Sequence, residues 1–546
     1  MTIPNASRLF VRCLENEGVE YIFGIPGEEN LAFMDMLSES SIEFVTTRHE
    51  QGAAFMADVY GRLTGRAGVC LSTLGPGATN LITPVADANM DHAPLVAIAG
   101  QAATDRLHKE SHQVLDLQAL FTPITKYSSQ VLLPDIIPEV VRKAFKYAQM
   151  EKTGACFIEF PENIASMPFS TIPLDVLPHH TPIAAIESIT HAADLISSAQ
   201  LPIILAGNGV IRAKAWQHLS EFAKRLNIPV ANTFMAKGVV PFKHPNALGT
   251  VGLQTADYIN VGFSSADVII CIGYDLVEYH PHLWHPTRDR IIIHIDSTAA
   301  EVDACYIPKA DVIGDIKHSL THIMQQAKPH RSERMRPLRH ALIDEMNLHA
   351  DDLSYPVKPQ KIIWDLRTAL NKDDIAICDV GAHKLWMARM FRCEEPNTCV
   401  ISNGFASMGI AVPGAIAAKL AFPNKTVIAV TGDAGFLMNS QEIETALRLK
   451  LSIIILIWND QGYGLIEWKQ INTYGRSNNV HFNNPDFVTY AQSFGARGYR
   501  IENTAELLPT IRRAITDNTV CIIDCPVDYG ENLKLTEKLG EMVCQI

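Results

Sequence analysis

The sequence predicts an α/β protein with three Rossmann-like domains, each built on a parallel sheet. Its 546 residues are enough for three or four domains of about 150 residues. Short runs of β-branched and other apolar residues recur along the chain, separated by stretches of helical periodicity. Such runs are typical of strands that parallel sheets bury on both faces. Two polar, proline-containing stretches, 167–182 and 351–359, interrupt this rhythm, and we interpret them as linkers.

The linkers divide the chain into predicted domains over residues 1–166, 183–345 and 357–546. The first and third domains share a similar order of strand-like and helical stretches. The predicted strands are the apolar runs 42–45, 69–71, 95–99, 203–206, 268–272, 291–295, 375–378, 427–430 and 453–457.

Composition and charge exclude several classes of protein. The 46 Lys and Arg residues are outnumbered by 59 Asp and Glu residues, a balance opposite to that of most nucleic-acid binders. The first twenty residues lack the apolar segment of a signal peptide, and the longest aliphatic run, 453–457, is too short to span a membrane. The eleven cysteines form no C-x-x-C pair, which indicates reduced thiols in a cytoplasmic protein.

In the third domain, an acidic residue follows each of two consecutive predicted strands. The strand at 427–430 leads into the loop 432–435, and the strand at 453–457 leads into 459–462. Because consecutive parallel strands end at the same sheet edge, Asp433 and Asp460 can reach one point. Their carboxylates and the carbonyl of Gly462 suit Mg²⁺ with phosphate and water as its other ligands. Taken alone, a Gly-Asp pair at a strand end is more often a turn or an N-cap.

Two segments carry a family resemblance. Gly432-Asp433-Ala434 with Asn459-Asp460 resembles the G-D-G…N-N thiamine diphosphate motif, and the R-H-E-x-x-A-A-F-M-A pattern at 48–57 resembles a segment of the pyruvate oxidase and acetohydroxyacid synthase family. Ala434 replaces the third glycine, and we expect the loop to tolerate its methyl group if φ stays negative. The resemblance covers essentially the whole chain. It implies a pyrimidine-binding, a middle and a diphosphate-binding domain.

The resemblance implies two catalytic residues. In that family, the glutamate at the position of Glu50 hydrogen-bonds N1′ of the aminopyrimidine and so promotes removal of the thiazolium C2 proton. Partial burial suits this role because it raises the pKa of a carboxyl group towards that of the ring nitrogen. Gln113 is expected to hydrogen-bond substrate or product oxygens. The structural alternatives are a helix N-terminal charge for Glu50 and a structural amide for Gln113.

Further cofactor contacts follow from the same resemblance. Met408 is expected to prop the cofactor in a bent conformation that brings its amino nitrogen against C2; an ordinary core methionine is the alternative. The implied magnesium ligands are Asp433, Asp460 and Gly462. The implied cofactor-binding residues are Ile25, Pro26, Gly27, Thr79, Asn80, Gly381, Ala382, His383, Met408, Gly432, Asp433, Ala434, Gly435, Tyr463 and Leu465.

Within the family, the segment 270–279 with Pro281 and Trp284 resembles the catabolic, FAD-independent acetolactate synthases. It lacks the arginine that helps biosynthetic acetohydroxyacid synthases select their second substrate. The resemblance therefore implies decarboxylation of pyruvate and condensation of the resulting two-carbon carbanion with a second pyruvate, giving 2-acetolactate and CO₂. Because the family's active sites lie between subunits, it also implies a homodimer or homotetramer.

FAD is possible but not expected. Gly207-Asn208-Gly209 follows a predicted strand, but Arg212 stands where a dinucleotide fingerprint has its third glycine. Three alternatives stay open: another thiamine diphosphate enzyme (a 2-keto acid decarboxylase, a carboligase or a flavin oxidase), a flavin- or nicotinamide-linked dehydrogenase, and an inactive homologue. The dehydrogenase leaves Glu50 and the Asp433–Asp460 spacing unexplained, and the presence of these three acids argues against an inactive homologue.

Overall fold

The computed structural model describes residues 5–178, 180–252, 258–331, 333 and 335–536. In this part of the chain, the strands form three six-stranded sheets, and every strand pair is parallel. The predicted α/β class with three Rossmann-like sheets is confirmed. The domain boundaries stay predictions, and the outermost residues 1–4 and 537–546 of the first and third predicted domains lie outside the described residues.

The N-terminal sheet has the strand order β2-β1-β3-β4-β6-β5. Its strands are β1 (Tyr21–Gly24), β2 (Glu43–Thr46), β3 (Gly68–Ser72), β4 (Leu95–Gln101), β5 (Tyr127–Gln130) and β6 (Ala155–Pro161). The helices around it are α1 (Ala6–Asn16), α2 (Leu31–Leu37), α3 (Glu50–Thr64), α4 (Pro76–Asn80), α5 (Ile82–Met90), α6 (Leu117–Phe121), α7 (Ile137–Gln149) and α8 (Glu162–Ala165).

The middle sheet has the order β12-β11-β10-β7-β8-β9, which is the dinucleotide-binding order 3-2-1-4-5-6. Its strands are β7 (Pro202–Ala206), β8 (Val230–Asn232), β9 (Ala247–Thr250), β10 (Val268–Ile272), β11 (Ile291–Asp296) and β12 (Ala310–Ile313). Its helices are α9 (Ile186–Ser198), α10 (Gly209–Arg212), α11 (Trp216–Leu226), α12 (Tyr258–Ser265), α13 (Ile316–Gln326) and α14 (Arg336–Leu348).

The C-terminal sheet repeats the strand order of the N-terminal one, as β14-β13-β15-β16-β18-β17. Its strands are β13 (Ile375–Cys378), β14 (Cys399–Ile401), β15 (Val427–Gly432), β16 (Ile454–Asn459), β17 (Arg497–Arg500) and β18 (Cys521–Pro526). Its helices are α15 (Pro359–Ala369), α16 (Ala382–Met390), α17 (Ala411–Ala421), α18 (Asp433–Met438), α19 (Glu442–Arg448), α20 (Gly464–Tyr474), α21 (Phe487–Phe494) and α22 (Leu507–Thr516).

All nine predicted strands are present, within one or two residues at each end. Their side chains are mostly buried on both faces, which is why a continuous apolar run predicts them. The strands that the pattern missed include β5 and β17, which lie at sheet edges and are only partly buried. Their sequences, Tyr-Ser-Ser-Gln and Arg-Gly-Tyr-Arg, carry no apolar run.

The N- and C-terminal sheets share one hydrophobic core. Helix α3 of the first packs directly against α17 of the second. Gly414 permits this approach, because a Cβ atom there would lie 2.8 Å from Cγ2 of Val59. In both sheets the strand order reverses between the first and third strands, and ligands of such sheets bind beyond the carboxyl ends of the strands at this point.

Two predictions about the whole chain are tested by the same residues. The ten cysteines among the described residues are buried and free of disulfides. No helix in the described ranges combines the length and apolar character needed to cross a membrane.

Candidate active site

A cavity of about 190 Å³ opens at the carboxyl ends of β13, β15 and β16, where the strand order of the C-terminal sheet reverses. Helices α16, α18 and α20 begin at its wall. Every site residue that the sequence predicted in this domain lines the cavity: Gly381, Ala382, His383, Met408, Gly432, Asp433, Ala434, Gly435, Asp460, Gly462, Tyr463 and Leu465. The sheet topology therefore brings together residues from four separate segments of the chain.

Asp433 is held by three hydrogen bonds. Its Oδ1 accepts from the amide of Ala434 at 2.8 Å, and its Oδ2 accepts from the amide of Gln461 and the side chain of Asn484, both at 2.7 Å. Because the amide of Gln461 belongs to the loop after β16, this contact fixes the two loops to each other.

Asp460 stands beside Asp433 on the same cavity wall. Burial, followed by the nearby charge of Asp433, raises the pKa of Asp460 to about 8. Two neighbouring carboxylates, one buried and one half-buried, are unfavourable without a counter-charge, and a divalent cation would remove that cost. In the described ranges, no group of three or more His, Cys, Asp or Glu side chains could hold a metal. A cation here would therefore need carbonyl, phosphate or water oxygens as well, which is the ligand set that Mg²⁺ prefers.

Local backbone geometry explains two small residues at this site. Ala434 lies in the first turn of α18 and is not among the residues with positive φ, so the condition for replacing the family's third glycine is met. Gly464 begins α20, and a Cβ atom there would lie 2.3 Å from Oδ2 of Asp460. Only glycine lets this helix start against the carboxylate.

His383 supplies a polar atom with no protein partner. Its ring is buried, its Nε2 has no hydrogen-bond partner within the described part of the chain, and it lines the cavity. Burial lowers the pKa of His383 to about 3, so the ring is neutral near pH 7. A buried polar atom left without a partner costs free energy, and a ligand oxygen or a water molecule in the cavity would satisfy it.

Glu50 lies at the carboxyl edge of the N-terminal sheet. It is the first residue of α3, where the His49 ring caps the helix by accepting from the amide of Gln51 at 3.0 Å. The Glu50 side chain is partly exposed, and its Oε2 accepts a hydrogen bond from Nδ2 of Asn80 at 2.9 Å. A Cβ atom on Gly77 would lie 3.4 Å from its Oε1. Glu50 does not line the cavity described above.

Five other predicted residues of the N-terminal domain lie on the segments that follow β1 and β3. Ile25, Pro26 and Gly27 follow β1, and a Cβ atom on Gly27 would lie 2.4 Å from Cβ of Thr73 in the loop after β3. Thr79 and Asn80 end helix α4 in the same region. This loop pair sits at the reversal of the N-terminal sheet, the counterpart of the cavity in the C-terminal one.

Gln113 lies against this group through its backbone and Cβ. A Cβ atom on Gly75, just before α4, would lie 2.9 Å from both Cβ and the carbonyl oxygen of Gln113. The Gln113 side chain is exposed. It is therefore near the loop of Thr79 and Asn80 and open to a ligand.

The middle domain does not present a dinucleotide site at its Gly-x-Gly loop. The carboxylate of Glu278 accepts hydrogen bonds from the amides of Asn208 at 2.9 Å and Asp275 at 3.3 Å, and from the hydroxyl of Thr233. A Cβ atom on Gly207 would lie 2.3 Å from the carbonyl oxygen of Gly273. Because the protein's own carboxylate binds the loop amide that a phosphate would need, the loop does not fit the diphosphate of FAD.

Sequence reasoning missed residues that line the cavity or bond its aspartates. Asn484 bonds Asp433 and, through the same Nδ2, also Oδ1 of Asn459 at 3.0 Å. Ile466 and Tyr529 line the cavity wall. Asn484 lies 51 residues from Asp433 in a loop before α21, where no local pattern marks it. Ile466 could have been found from its place one residue beyond the predicted Leu465.

The predicted residues around Glu50 and those around Asp433 form two half-sites, and comparison with known proteins matches the regions that contain them to domains of one enzyme family. Residues 4–120, 189–323 and 379–525 match the N-terminal TPP-binding, the central and the C-terminal TPP-binding domains of thiamine pyrophosphate enzymes. The chain is 39% identical to an acetolactate synthase of Bacillus subtilis, with 98% of this chain and 96% of the relative aligned. It is 35% identical to a catabolic acetolactate synthase of Raoultella terrigena, with coverages of 97% and 96%.

A third relative gives a similar result. The chain is 36% identical to a probable acetolactate synthase large subunit of Methanocaldococcus jannaschii, with 97% of this chain and 93% of the relative aligned. All predicted site residues lie inside the matched TPP-binding domains, and the likeness extends over nearly the full length of each relative. The chain therefore belongs to the acetolactate synthase family of thiamine pyrophosphate enzymes.

Proposed function

We propose that the protein is an acetolactate synthase, a carboligase that decarboxylates one pyruvate and joins the two-carbon remainder to a second pyruvate, giving 2-acetolactate and CO₂. The observation that carries this proposal is the retention of Glu50, Asp433 and Asp460 in a chain that resembles acetolactate synthases from end to end. The alternatives are another thiamine diphosphate-dependent decarboxylase, a carboligase with a different acceptor, and a flavin oxidase.

The C-terminal cavity would hold the diphosphate end of thiamine diphosphate with Mg²⁺. When bound, the cofactor supplies a thiazolium carbon that adds to a keto group and accepts the electrons released with CO₂. Asp433, Asp460 and the carbonyl of Gly462 are the proposed ligands of Mg²⁺. His383 would bond a diphosphate oxygen, directly or through water, which would satisfy its Nε2. Gly381, Ala382, Gly432, Ala434 and Gly435, all small residues of the cavity wall, would lie around the diphosphate.

Glu50 would act on the other end of the cofactor. Its carboxyl group would hold a proton at N1′ of the aminopyrimidine ring, and Asn80 would orient it through the bond to Oε2. Asn80 bonds this carboxyl group, and the segments 25–27 and 79–80 would bind the pyrimidine. Gln113, beside the same group of loops, would hydrogen-bond the oxygens of pyruvate or acetolactate.

The wall of the cavity favours joining the two-carbon fragment to a second pyruvate over protonation of that fragment by water. Met408, Tyr463, Leu465 and Ile466 give it an apolar side. An apolar wall excludes water from the reacting carbon, and water is the proton source that would divert the reaction to acetaldehyde. Met408 would in addition support the bent cofactor.

Completing the site requires a second copy of the chain, as a homodimer or homotetramer. Glu50 does not line the cavity that holds Asp433 and Asp460, although one cofactor must contact both groups. Large apolar side chains are exposed near each half-site, including Leu31 at 63% and Leu115 at 45% near the first, and Ile466 at 47% near the second. Exposed apolar groups of this kind mark contact surfaces.

Two further parts of the proposal concern FAD and location. The Glu278 carboxylate on the amide of Asn208 supports function without FAD, and the purified protein should show no flavin absorbance. The ten cysteines that the structure describes are buried and form no disulfide, which supports a cytoplasmic location because disulfides accumulate in oxidising compartments.

The proposal is tested by incubating the purified chain with pyruvate, thiamine diphosphate and Mg²⁺, and by measuring acetolactate as acetoin after acid treatment. A Glu50→Gln sample serves as the matched control, since the amide keeps the size and the contact with Asn80. Acetolactate from the wild type and little from the variant is the expected result. Acetaldehyde or peroxide as the main product would contradict the synthase assignment.

A further inference from the structure

Four charged side chains are buried together beneath the loop that carries Met408. Arg62 of α3 forms ion pairs with Asp58 at 2.6 Å, with Asp87 at 2.8 Å and with Asp91 at 2.6 Å. The three aspartate side chains are fully buried, and Arg62 is 9% exposed. All four belong to the N-terminal domain, on or directly after α3 and α5.

One arginine does not neutralise three carboxyl groups. Burial and the neighbouring charges of Asp91 and Asp58 raise the pKa of Asp87 well above its ordinary value, and burial raises that of Asp58. A buried arrangement of this kind is costly and is weak evidence for a role in stability. The remaining hydrogen bonds of this cluster reach outside the N-terminal domain.

Those hydrogen bonds all go to one loop of the C-terminal domain. Oδ1 of Asp87 accepts from the hydroxyl of Ser402 at 2.8 Å and from the amide of Ser407 at 3.1 Å. Asp91 accepts from the amide of Asn403 at 3.1 Å and from that of Gly404 at 2.5 Å. Two side chains thus hold both ends of a six-residue segment from across the domain boundary.

The fit is close enough to restrict the loop's sequence. A Cβ atom on Gly404 would lie 2.5 Å from Oδ1 of Asp91. The segment after Met408 is fixed separately, because the buried Asp379 accepts from the amides of Gly409 at 2.9 Å and Ala411 at 3.1 Å. Met408 therefore lies between a segment bonded by Asp87 and Asp91 and a segment bonded by Asp379, in a stretch with no helix or strand of its own. Lys384 and the carbonyl of Glu278 also bond Asn403 of the first segment.

We infer that Asp87 and Asp91 are positioning residues for the candidate active site: their carboxyl groups, ion-paired to Arg62, set the loop 402–407 and through it the place of Met408 on the cavity wall. The inference rests on the proposed function only for the consequence to catalysis. The positioning of the loop itself is independent of which reaction the site performs.

The chemistry of the carboxyl group explains why aspartate is needed. Asp91 accepts two consecutive amides on its two oxygens, and Arg62 also donates to one of these oxygens. Asparagine has the same size but offers one acceptor oxygen and an amide that donates. Asp91→Asn therefore turns one amide–carboxylate bond into a contact between two donors and leaves the side-chain volume unchanged.

The test compares wild type, Asp91→Asn and Ser402→Ala by hydrogen exchange and by binding of thiamine diphosphate with Mg²⁺. Asp135→Asn is the control, since Asp135 also bonds a loop serine, Ser170, but on the exposed surface. We expect faster exchange in peptides covering 402–408 and unchanged exchange in β4 and β15. Loss of a hydrogen bond to a charged group predicts about tenfold weaker cofactor binding for Asp91→Asn.

If Asp91 acts only by positioning the loop, Asp91→Asn should weaken the binding of thiamine diphosphate without lowering the melting temperature. Asp91→Asn keeps the side-chain volume, and Arg62 keeps its ion pairs with Asp58 and Asp87. Ser402→Ala removes only the bond to Asp87 and leaves the charges intact, so it decides the matter if Asp91→Asn fails to fold. Loop exchange and cofactor affinity within twofold of wild type in a folded variant would overturn the inference. A wild type that binds the cofactor without turning over pyruvate would contradict the proposed function alone.

Discussion

Replacing Glu442 with glutamine tests how the N- and C-terminal domains are joined at the start of α3. Glu442 is fully buried on α19. Its carboxylate accepts hydrogen bonds from the amides of Arg48 and His49, both at 3.1 Å, directly before Glu50. It also accepts from the hydroxyl of Thr445 at 2.6 Å. Burial raises the pKa of Glu442 from 4.5 to about 7.

The size and sign of the effect follow from this shift. Between pH 4.5 and 7 the folded chain keeps a proton that the unfolded chain releases, so the free energy of unfolding falls as pH rises. A pKa shift of this size lowers the free energy of unfolding by about 3 kcal/mol, and the decrease is complete above pH 7. Glutamine does not titrate, so Glu442→Gln lacks this contribution. Relative to wild type, the variant should gain up to about 3 kcal/mol between pH 5 and pH 8.

The assay is thermal unfolding of wild type and variant at pH 5, 6, 7 and 8. About 3 kcal/mol in a domain of this size corresponds to roughly 6 to 12 °C in melting temperature. Glu444→Gln is the matched control, because Glu444 lies two residues away with a side chain 37% exposed and paired with Arg448. Wild type and Glu442→Gln curves that stay parallel across this range would refute the reasoning, since the buried carboxyl group would then not titrate differently on folding.

Three further predictions concern the site itself. Glu50→Gln should lower pyruvate turnover by about 10²- to 10⁴-fold in steady-state assays while the affinity for thiamine diphosphate, measured by titration, changes little; equal losses in both would contradict a proton-holding role. Asp460→Asn should abolish the increase in melting temperature that Mg²⁺ and thiamine diphosphate together give the wild type, because it removes an oxygen ligand with its charge. Ala434→Gly should change cofactor affinity by less than about threefold, since Ala434 is already helical; a larger change by titration would show that its methyl group contacts the cofactor.

The C-terminal half of the site could be predicted because its two aspartates follow strands that are consecutive in the chain. Asp433 and Asp460 end consecutive parallel strands, β15 and β16, and the right-handed crossover between such strands brings their ends together. Both conditions are visible in apolar runs followed by glycine and acidic residues. The side chains that fix these loops were less accessible to sequence reasoning, since Asn484 reaches Asp433 from a loop before a different helix.

In the middle domain, too, the sequence does not reveal contacts between residues far apart in the chain. A glycine loop after β7 is recognisable in the sequence, but its accessibility depends on Glu278, which lies 70 residues from Asn208 and folds back onto its amide. The contacts of Asp87 and Asp91 with the loop 402–407 join residues more than 300 positions apart. Such contacts arise from how whole domains pack, for which hydrophobic periodicity carries no signal. The predicted meeting of Glu50 with the magnesium ligands depends on a second copy of the chain and stays a prediction.

Whether this site joins two molecules of pyruvate is tested most directly by a carbon balance with uniformly ¹³C-labelled pyruvate, thiamine diphosphate and Mg²⁺, followed by NMR. An acetolactate synthase gives one acetolactate and one CO₂ for every two pyruvates consumed, with no acetaldehyde accumulating. One CO₂ and one acetaldehyde or acetate for each pyruvate would show that the site decarboxylates without joining its substrates, and would contradict the proposed function.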